Sequence, residues 1–325
     1  MKDSFGRAID YLRLSITDRC NLRCIYCMPP EGVDWMPHND VIRFEEIIRI
    51  CRLMAAMGIR KIKITGGEPL VRRGAAYLVR SVKALPGIEK VTMTTNGVLL
   101  GEYIDALIDA GLDSVNISLD SISEDNFNRI TRKENLAQIL SAINRTCDLG
   151  LPIKINCVPL KGVNEGDIAK LAVLAKNGNM AVRFIELMPL GAAAALRPIP
   201  VDEVMSLLEK EYGSLSPAAV KPGNGPAAYY TLPGFKGYIG FISALSHGFC
   251  ESCNRLRLTA AGFLKPCLSS DMYLDLRALL RGGVSDSEIE KAIAELVSRK
   301  PACHSFGGVQ GRLNHSQKEM FRIGG

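Results

Sequence analysis

Residues 1–190 alternate between short stretches of period two and longer stretches of helical spacing. In one short stretch Ile62 and Ile64 alternate with Lys61 and Lys63, which is typical of a strand. The pattern predicts strands over residues 11–17, 59–65, 91–95, 114–119, 153–159 and 182–186, and helices over residues 43–57, 75–85, 101–110, 136–149 and 168–177.

This alternation of strand and helix has the spacing of βαβ units. Such units form a parallel sheet with right-handed crossovers, so the predicted fold is α/β, a barrel or partial barrel of six βα units. In parallel folds the functional face lies at the carboxyl ends of the strands. We therefore predict one site at that rim, built from groups that follow the predicted strands: Cys20 to Cys27, Gly66 to Pro69, Thr94 to Gly97, Ser118 and Met188.

The character of the chain changes after Gly191, where four alanines precede a predicted helix over residues 201–212. Proline- and glycine-rich loops, two short β-rich stretches and a final predicted helix over residues 287–298 follow. We predict two parts, a core barrel of residues 1–215 and a C-terminal domain of residues 216–325 that lies over the barrel.

Composition restricts the class of protein. The net charge of the 325 residues is +6 and no block of like charges occurs, which favours a small anionic ligand over nucleic acid. No apolar run is long enough for a membrane helix and the first residues lack the apolar segment of a signal peptide, so we expect a cytoplasmic protein without membrane contact. The ten cysteines then predict metal ligands and buried thiols, with buried thiols at Cys51, Cys147, Cys157 and Cys303.

Cys20, Cys24 and Cys27 are spaced by three and two residues directly after the first predicted strand. Structural zinc sites and most iron–sulfur clusters have four protein ligands, so a site with three leaves one metal position open to chemistry. Zinc closed by His38 or Cys51 is the alternative.

Cys250, Cys253 and Cys267 form a second set of three. Taken alone, this spacing also suits a zinc ribbon, closed by His247, Cys303 or His304. Arg255 and Arg257 alternate on a strand-like run and therefore face one side, either as a solvated edge or as a clamp on phosphate oxygens.

The remaining polar groups are ambiguous when each is considered alone. Gly66-Gly67 is either a tight turn or a place where a ligand approaches the backbone closely. Thr94 and Ser118 suit ordinary loop hydroxyls, and Met188 suits a core position.

Together these motifs resemble a known family. CxxxCxxC after the first strand and Gly-Gly-Glu-Pro after the second resemble the radical S-adenosylmethionine superfamily. Residues 12–21, residues 249–259 and the terminal Gly324-Gly325 are similar to the branch of that superfamily that cyclises GTP in molybdenum cofactor biosynthesis. The resemblance covers essentially the whole chain. It implies a partial (β/α)6 barrel of the radical S-adenosylmethionine type, with a C-terminal extension that carries a second iron–sulfur cluster.

The resemblance also implies two 4Fe–4S clusters, each with one iron that no cysteine binds. Cys20, Cys24 and Cys27 would bind the first, and Cys250, Cys253 and Cys267 the second, whose open iron would face guanine. S-adenosylmethionine would contact Tyr26, Gly67, Ser118 and Met188. GTP would contact Arg13, Lys63, Thr94, Lys154, Arg255 and Arg257, with Arg183 as a further cation, and Arg13, Arg255 and Arg257 would be catalytic.

Lys63 and the Gly324-Gly325 tail stand out among the positions of this resemblance. The family commonly has arginine where this chain has Lys63, which keeps the charge but loses the planar fork. The Gly324-Gly325 tail would reach toward the site. Cations from five separate loops would surround the triphosphate.

The implied reaction starts when one electron enters the first cluster and S-adenosylmethionine is cleaved to a 5′-deoxyadenosyl radical. The radical removes hydrogen from C3′ of the GTP ribose, and C3′ then adds to C8 of guanine. An electron donor is implied, as is functional coupling to cyclic pyranopterin monophosphate synthase, and a homodimer is compatible with the sequence. The alternatives are a radical enzyme with a peptide substrate and a zinc-binding protein without catalysis.

Overall fold

The structure, a computed structural model, describes residues 1–178, 180–220, 222–223, 225–304 and 306. Its strands are β1 (Tyr11–Ser15), β2 (Lys61–Thr65), β3 (Lys90–Thr95), β4 (Ser114–Ser118), β5 (Ile153–Cys157), β6 (Ala181–Ile185), β7 (Ser216–Pro217), β8 (Ala228–Thr231), β9 (Tyr238–Ile242), β10 (Arg255–Leu258), β11 (Phe263–Lys265) and β12 (Leu274–Asp275). Among these residues no helix is long and apolar enough to cross a membrane.

The helices lie between these strands and after them. They are α1 (Phe44–Ala56), α2 (Ala75–Lys83), α3 (Leu100–Asp109), α4 (Glu124–Thr131), α5 (Leu136–Asp148), α6 (Ile168–Ala172), α7 (Leu174–Asn177), α8 (Val201–Tyr212), α9 (Leu276–Arg281) and α10 (Asp286–Ser298). The helix predicted over residues 168–177 is divided at Val173, and α4 and α9 were not predicted. The apolar pattern of α4 is weak, because only Phe127, Ile130 and Thr131 of its residues are buried.

Strands β1 to β6 pair in chain order, and every pair is parallel. The six predicted βα strands and the α/β class are therefore confirmed, with ends that differ by at most two residues. The sheet stays open, because its twelve strands form a linear order from β12 to β7, which agrees with a partial barrel.

The C-terminal residues extend this same sheet at both edges. β10 pairs parallel with β1, and β9 pairs parallel with β6. The expectation of an extension that lies over the barrel is therefore too simple, because two of its strands continue the barrel wall. The division at residue 215 stays a prediction.

The alternation within the strands separates an apolar outer face from a polar lumen. On β1 and β2, Leu12, Leu14, Ile62 and Ile64 are buried in the main apolar core. Successive side chains of a strand point to opposite faces, so the residues between them face inward. An ordinary (β/α)8 barrel fills this interior with branched apolar side chains, whereas here polar and charged residues line a cavity.

Candidate active site

A cavity of about 650 Å³ lies inside the sheet, bordered by all six central strands and by the C-terminal segment. Both sets of three cysteines border it. So do all other described residues assigned above to S-adenosylmethionine or GTP: Tyr26, Gly67, Ser118, Met188, Arg13, Lys63, Thr94, Lys154, Arg183, Arg255 and Arg257. Their individual roles stay predictions. Gly324 and Gly325 lie outside the described residues.

The end of α4 holds the loop that carries the first three cysteines. Arg23 and Ile25 of the loop donate backbone hydrogen bonds to the carbonyls of Thr131 and Ile130, at 3.0 and 2.9 Å. The Arg132 guanidinium donates back to the carbonyls of Arg23 and Met28. A helix that the sequence pattern missed thus supports the predicted cluster loop.

The Gly66-Gly67 turn packs against the backbone that precedes Cys20. The Gly67 N–H donates to the Thr17 carbonyl at 2.7 Å, and the Glu68 N–H donates to the Arg19 carbonyl at 2.7 Å. A Cβ at position 67 would lie 2.7 Å from the Asp18 carbonyl oxygen. The close approach that requires glycine here is therefore made by the protein's own backbone, and a contact of Gly67 with S-adenosylmethionine stays a prediction.

Glu68 and Asn96 join the ends of β2 and β3 to the cysteine loop. The buried Glu68 carboxylate accepts hydrogen bonds from the Thr95 hydroxyl and the Asn96 N–H, both at 2.7 Å. Burial raises its pKa to about 7. The Asn96 side chain in turn donates to Asn21 Oδ1 at 2.7 Å and to Cys20 Sγ at 3.7 Å. The cluster loop is thus fixed from two strand ends.

Tyr26, between Cys24 and Cys27, donates its hydroxyl to Asp120 Oδ2 at 2.5 Å. Asp120 Oδ1 accepts the Val158 N–H at 2.7 Å. Burial raises the pKa of Asp120 to about 6, while the Tyr26 hydrogen bond acts in the opposite direction. Asp120 also borders the cavity and was not predicted as a site residue, although it follows a predicted strand as the other site residues do.

The chemistry of the thiols fits iron–sulfur clusters. Burial raises the pKa of Cys20 to about 11 and that of Cys24 well above its usual value, so these thiols ionise readily only when a metal cation replaces the proton. Cysteine thiolates are the usual ligands of such a cluster, and the three on this loop leave one metal position without a cysteine. Within the described chain no group of three or more His, Cys, Asp and Glu side chains is arranged to hold a single metal ion.

The second set of cysteines lies at the open end of the β10–β11 hairpin. Cys250 and Cys253 precede β10, and Cys267 follows β11. Burial raises the pKa of Cys253, but the charges of Arg255 and Lys300 outweigh that effect and lower the pKa to about 7. This thiolate is therefore stabilised by the protein itself. Lys300 is a second residue that sequence reasoning missed, because it follows α10 and belongs to none of the sequence motifs described above.

The other four cysteines differ in burial. Cys51 and Cys157 are buried, as predicted, whereas Cys147 and Cys303 are exposed, so the prediction of buried thiols at those two positions is wrong. Cys147 lies on α5, whose buried face ends with Thr146. All ten cysteines are free thiols.

Positive charge collects in the lumen between the two sets of cysteines. Burial lowers the pKa of Lys63 well below its usual value, and the charged groups that add to this effect are all cations, Arg183, Arg13 and Lys154. Burial and neighbouring cations likewise lower the pKa of Arg13 to about 10 and that of Lys154 to about 8. For Arg257 the pKa falls well below its usual value, through burial and the charges of Arg13 and Arg255. Mutual repulsion of this kind is relieved when an anion binds.

Neutral amides help to arrange these cations. Asn156 Oδ1 accepts from Arg183 Nε at 2.9 Å. Asn116, with its side-chain oxygen turned toward them, accepts from Arg183 Nη2 at 3.0 Å and from Lys63. The cations come from β1, β2, β5, β6 and β10. The expectation that they come from separate loops is therefore wrong, because the alternation of the strands directs them into the lumen.

The fold and the cysteine loop define a member of the radical S-adenosylmethionine superfamily. The model of the Radical SAM superfamily matches residues 14–175, and the model named Molybdenum Cofactor Synthesis C matches residues 180–306. A crystal structure of Streptococcus suis SuiB bound to S-adenosylmethionine has the same fold, with a TM-score of 0.61 at 14% identity over 89% of this chain and 68% of SuiB.

Two curated relatives identify the family within this superfamily. GTP 3′,8-cyclase of Pelotomaculum thermopropionicum is 46% identical over 329 aligned residues, and that of Petrotoga mobilis is 44% identical over 329, with 100% of each chain covered in both cases. The chain belongs to the GTP 3′,8-cyclase family.

Proposed function

We propose that this protein converts GTP to (8S)-3′,8-cyclo-7,8-dihydroguanosine 5′-triphosphate, the first step of molybdenum cofactor biosynthesis. One observation carries the proposal: two sets of three thiols and a group of buried and half-buried cations border the same cavity. Its cofactors are two 4Fe–4S clusters, with S-adenosylmethionine as cosubstrate. When bound, the first cluster and S-adenosylmethionine supply the radical chemistry that removes hydrogen from ribose C3′.

In this proposal the thiols set the positions of the two clusters. Cys20, Cys24 and Cys27 hold the first on a loop fixed by α4, Glu68 and Asn96. Cys250, Cys253 and Cys267 hold the second at the other side of the cavity. Each set leaves one metal position for a small molecule, S-adenosylmethionine at the first and guanine at the second.

The cations of the lumen would bind the triphosphate. Arg13, Lys63, Lys154 and Arg183 supply charge from four different strands, and the repulsion among them falls when phosphate oxygens enter. Arg257 lies beside Arg13 in the register of β1 and β10. Together with Arg255, these two arginines orient the nucleotide between the clusters, and this orientation is the protein's main contribution to the rate. Thr94 adds a neutral hydroxyl.

S-adenosylmethionine would lie near the ends of β2, β4 and β6. Tyr26 and Gly67 border the cavity beside the first cluster loop, and Ser118 ends β4. Met188 borders the cavity and also packs with Leu190 and Leu268, so it serves both a core and a binding role in this proposal.

The remaining expectations of the resemblance belong to the same proposal. They are an external electron donor, functional coupling to cyclic pyranopterin monophosphate synthase, a homodimer and a cytoplasmic location. The alternatives of a peptide substrate and of a zinc protein gain no comparable support, because neither calls for a group of cations around one cavity.

The test is anaerobic incubation of the reconstituted protein with GTP, S-adenosylmethionine and reductant. We expect 5′-deoxyadenosine and a product with the mass of GTP, detected by mass spectrometry. Arg257→Ala should lose GTP binding but still cleave S-adenosylmethionine slowly with dithionite, whereas Arg80→Ala on the exposed face of α2 should behave as wild type. Unchanged GTP affinity in Arg257→Ala would remove the assigned substrate contact, and absence of the isomeric product would refute the function.

A further inference from the structure

Lys300 follows α10 and is buried, with 2% of its surface exposed. Its ammonium donates hydrogen bonds to the carbonyls of Arg255 at 2.9 Å and Pro266 at 2.5 Å. Arg255 begins β10, and Pro266 directly follows β11. These strands are paired at Arg257↔Lys265, so Lys300 bridges the hairpin where that pairing ends.

This bridge lies directly beside two of the cysteines. Arg255 is two residues from Cys253, and Pro266 is adjacent to Cys267. Because these two carbonyls hold it, the Lys300 ammonium lies beside the backbone of both cysteines. Lys300 therefore fixes the backbone segments of Cys253 and Cys267 relative to each other. It also places one positive charge next to the second set of cysteines.

Arg7 fixes the backbone at Cys250, the third cysteine of the second set. Its guanidinium donates to the Cys250 carbonyl at 2.8 Å, and to the carbonyls of Pro301 at 2.7 Å and Ala302 at 2.9 Å. Its Nε is paired with the buried Asp3 carboxylate at 2.5 Å. The segment 300–302 is thus the common attachment point for the backbone on either side of the second cluster site.

We propose that Lys300 and Arg7 are positioning residues for the second cluster: they preform its three-cysteine site, and Lys300 offsets part of the negative charge of the bound cluster. The proposal rests on the assignment of that cluster to Cys250, Cys253 and Cys267. Hydrogen-bond partners that orient metal ligands are worth about 10- to 100-fold in metal affinity. Charge next to an iron–sulfur cluster shifts its reduction potential.

The test uses protein in which only the second cluster forms, because Cys20, Cys24 and Cys27 are replaced by alanine. After anaerobic reconstitution we expect about four irons per chain. In this background Lys300→Met should lose iron to a chelator at least about tenfold faster. Lys300→Arg, which keeps the charge and the donors, should restore most of the retention. Lys291→Met on the exposed face of α10 is the matched control.

A second background separates a local effect from general unfolding. With Cys250, Cys253 and Cys267 replaced by alanine, only the first cluster forms, and Lys300→Met should leave its iron retention unchanged. The double variant Asp3→Asn, Arg7→Met, which avoids an unpaired buried charge, should likewise speed iron loss only from the second cluster.

Reduction potential gives a readout that a purely structural role would not change. Removal of a positive charge disfavours the reduced cluster, so an EPR-monitored titration should find a lower potential in Lys300→Met than in Lys300→Arg. If the first background binds no iron even with Lys300 present, the second-cluster assignment itself fails. If it binds about four irons but Lys300→Met matches Lys291→Met in both retention and potential, the assignment stands and the role of Lys300 is refuted.

Discussion

Lys154 should make GTP affinity depend on pH. It lies on β5, borders the cavity, and its pKa is lowered to about 8 by burial, followed by the charges of Arg183 and Lys90. A bound triphosphate favours the charged ammonium and raises this pKa again. Binding therefore includes proton uptake by Lys154 above pH 8, and GTP affinity should fall as the pH rises.

The size of the effect follows from this shift. With a pKa of about 8, the charged fraction of free Lys154 falls from about nine-tenths at pH 7 to about one-tenth at pH 9. If the bound pKa returns to its usual value near 10.4, affinity falls about tenfold over this range. That change corresponds to about 1.4 kcal/mol, an order-of-magnitude figure.

The assay is equilibrium dialysis of GTP with the oxidised, reconstituted protein under anaerobic conditions from pH 7 to 9. Lys154→Arg is the reference, because arginine stays charged throughout. The titrations of GTP and of Lys63 are present in both proteins, so the difference between the two curves isolates Lys154. In Lys90→Met one repelling charge is absent, and the decrease in affinity should move to higher pH.

Parallel curves for wild type and Lys154→Arg would contradict this reasoning. They would mean either that Lys154 does not approach the phosphates or that its ammonium is fully charged in the free protein. Direct titration of the Lys154 amine by NMR in the absence of GTP distinguishes the two explanations.

Three further changes test the first cluster loop. Gly67→Ala places a Cβ against the backbone before Cys20 and should reduce iron from about eight to about four per chain, whereas Gly101→Ala, with 3.9 Å to its nearest neighbour, should keep all of it. Tyr26→Phe removes the hydrogen bond from the Tyr26 hydroxyl to Asp120 Oδ2 and should cost about 1–3 kcal/mol of unfolding free energy in urea titrations, with weaker S-adenosylmethionine binding. Burial raises the pKa of Glu68 above its unfolded value. The contribution of Glu68 to stability is therefore complete below about pH 4.5 and is lost as the pH rises through about 7. Urea titrations should detect a lower free energy of unfolding at pH 7.5 than at pH 5, and this decrease should be absent in Glu68→Gln.

The barrel strands could be predicted because each one combines two signals. On β2, Ile62 and Ile64 enter the apolar core while Lys63 faces the lumen, so alternation and charge agree. α4 gave a weaker signal, since its role is to hold the cysteine loop through backbone carbonyls at Ile130 and Thr131. Backbone contacts of this kind have no side-chain pattern for sequence reasoning to detect.

The parts that were missed depend on pairing between distant segments. β9 joins β6, and β10 joins β1 more than 200 residues away along the chain. The strands themselves are recognisable, but their partners are not fixed by local periodicity. Lys300 illustrates the same limit, because its importance comes from two carbonyls on another hairpin.

The pairing of β10 with β1 brings like charges together in the lumen. In this register Arg13 lies opposite Arg257, and Tyr11 lies opposite Arg255. Neighbouring strands are about 4.8 Å apart, and like charges directly opposite each other are destabilising. A fold that places arginines in this way gains no stability from the arrangement. The polar lumen therefore costs stability, which the burial of the apolar outer face offsets. Under the proposed function, a triphosphate bound between the two sets of cysteines relieves this repulsion.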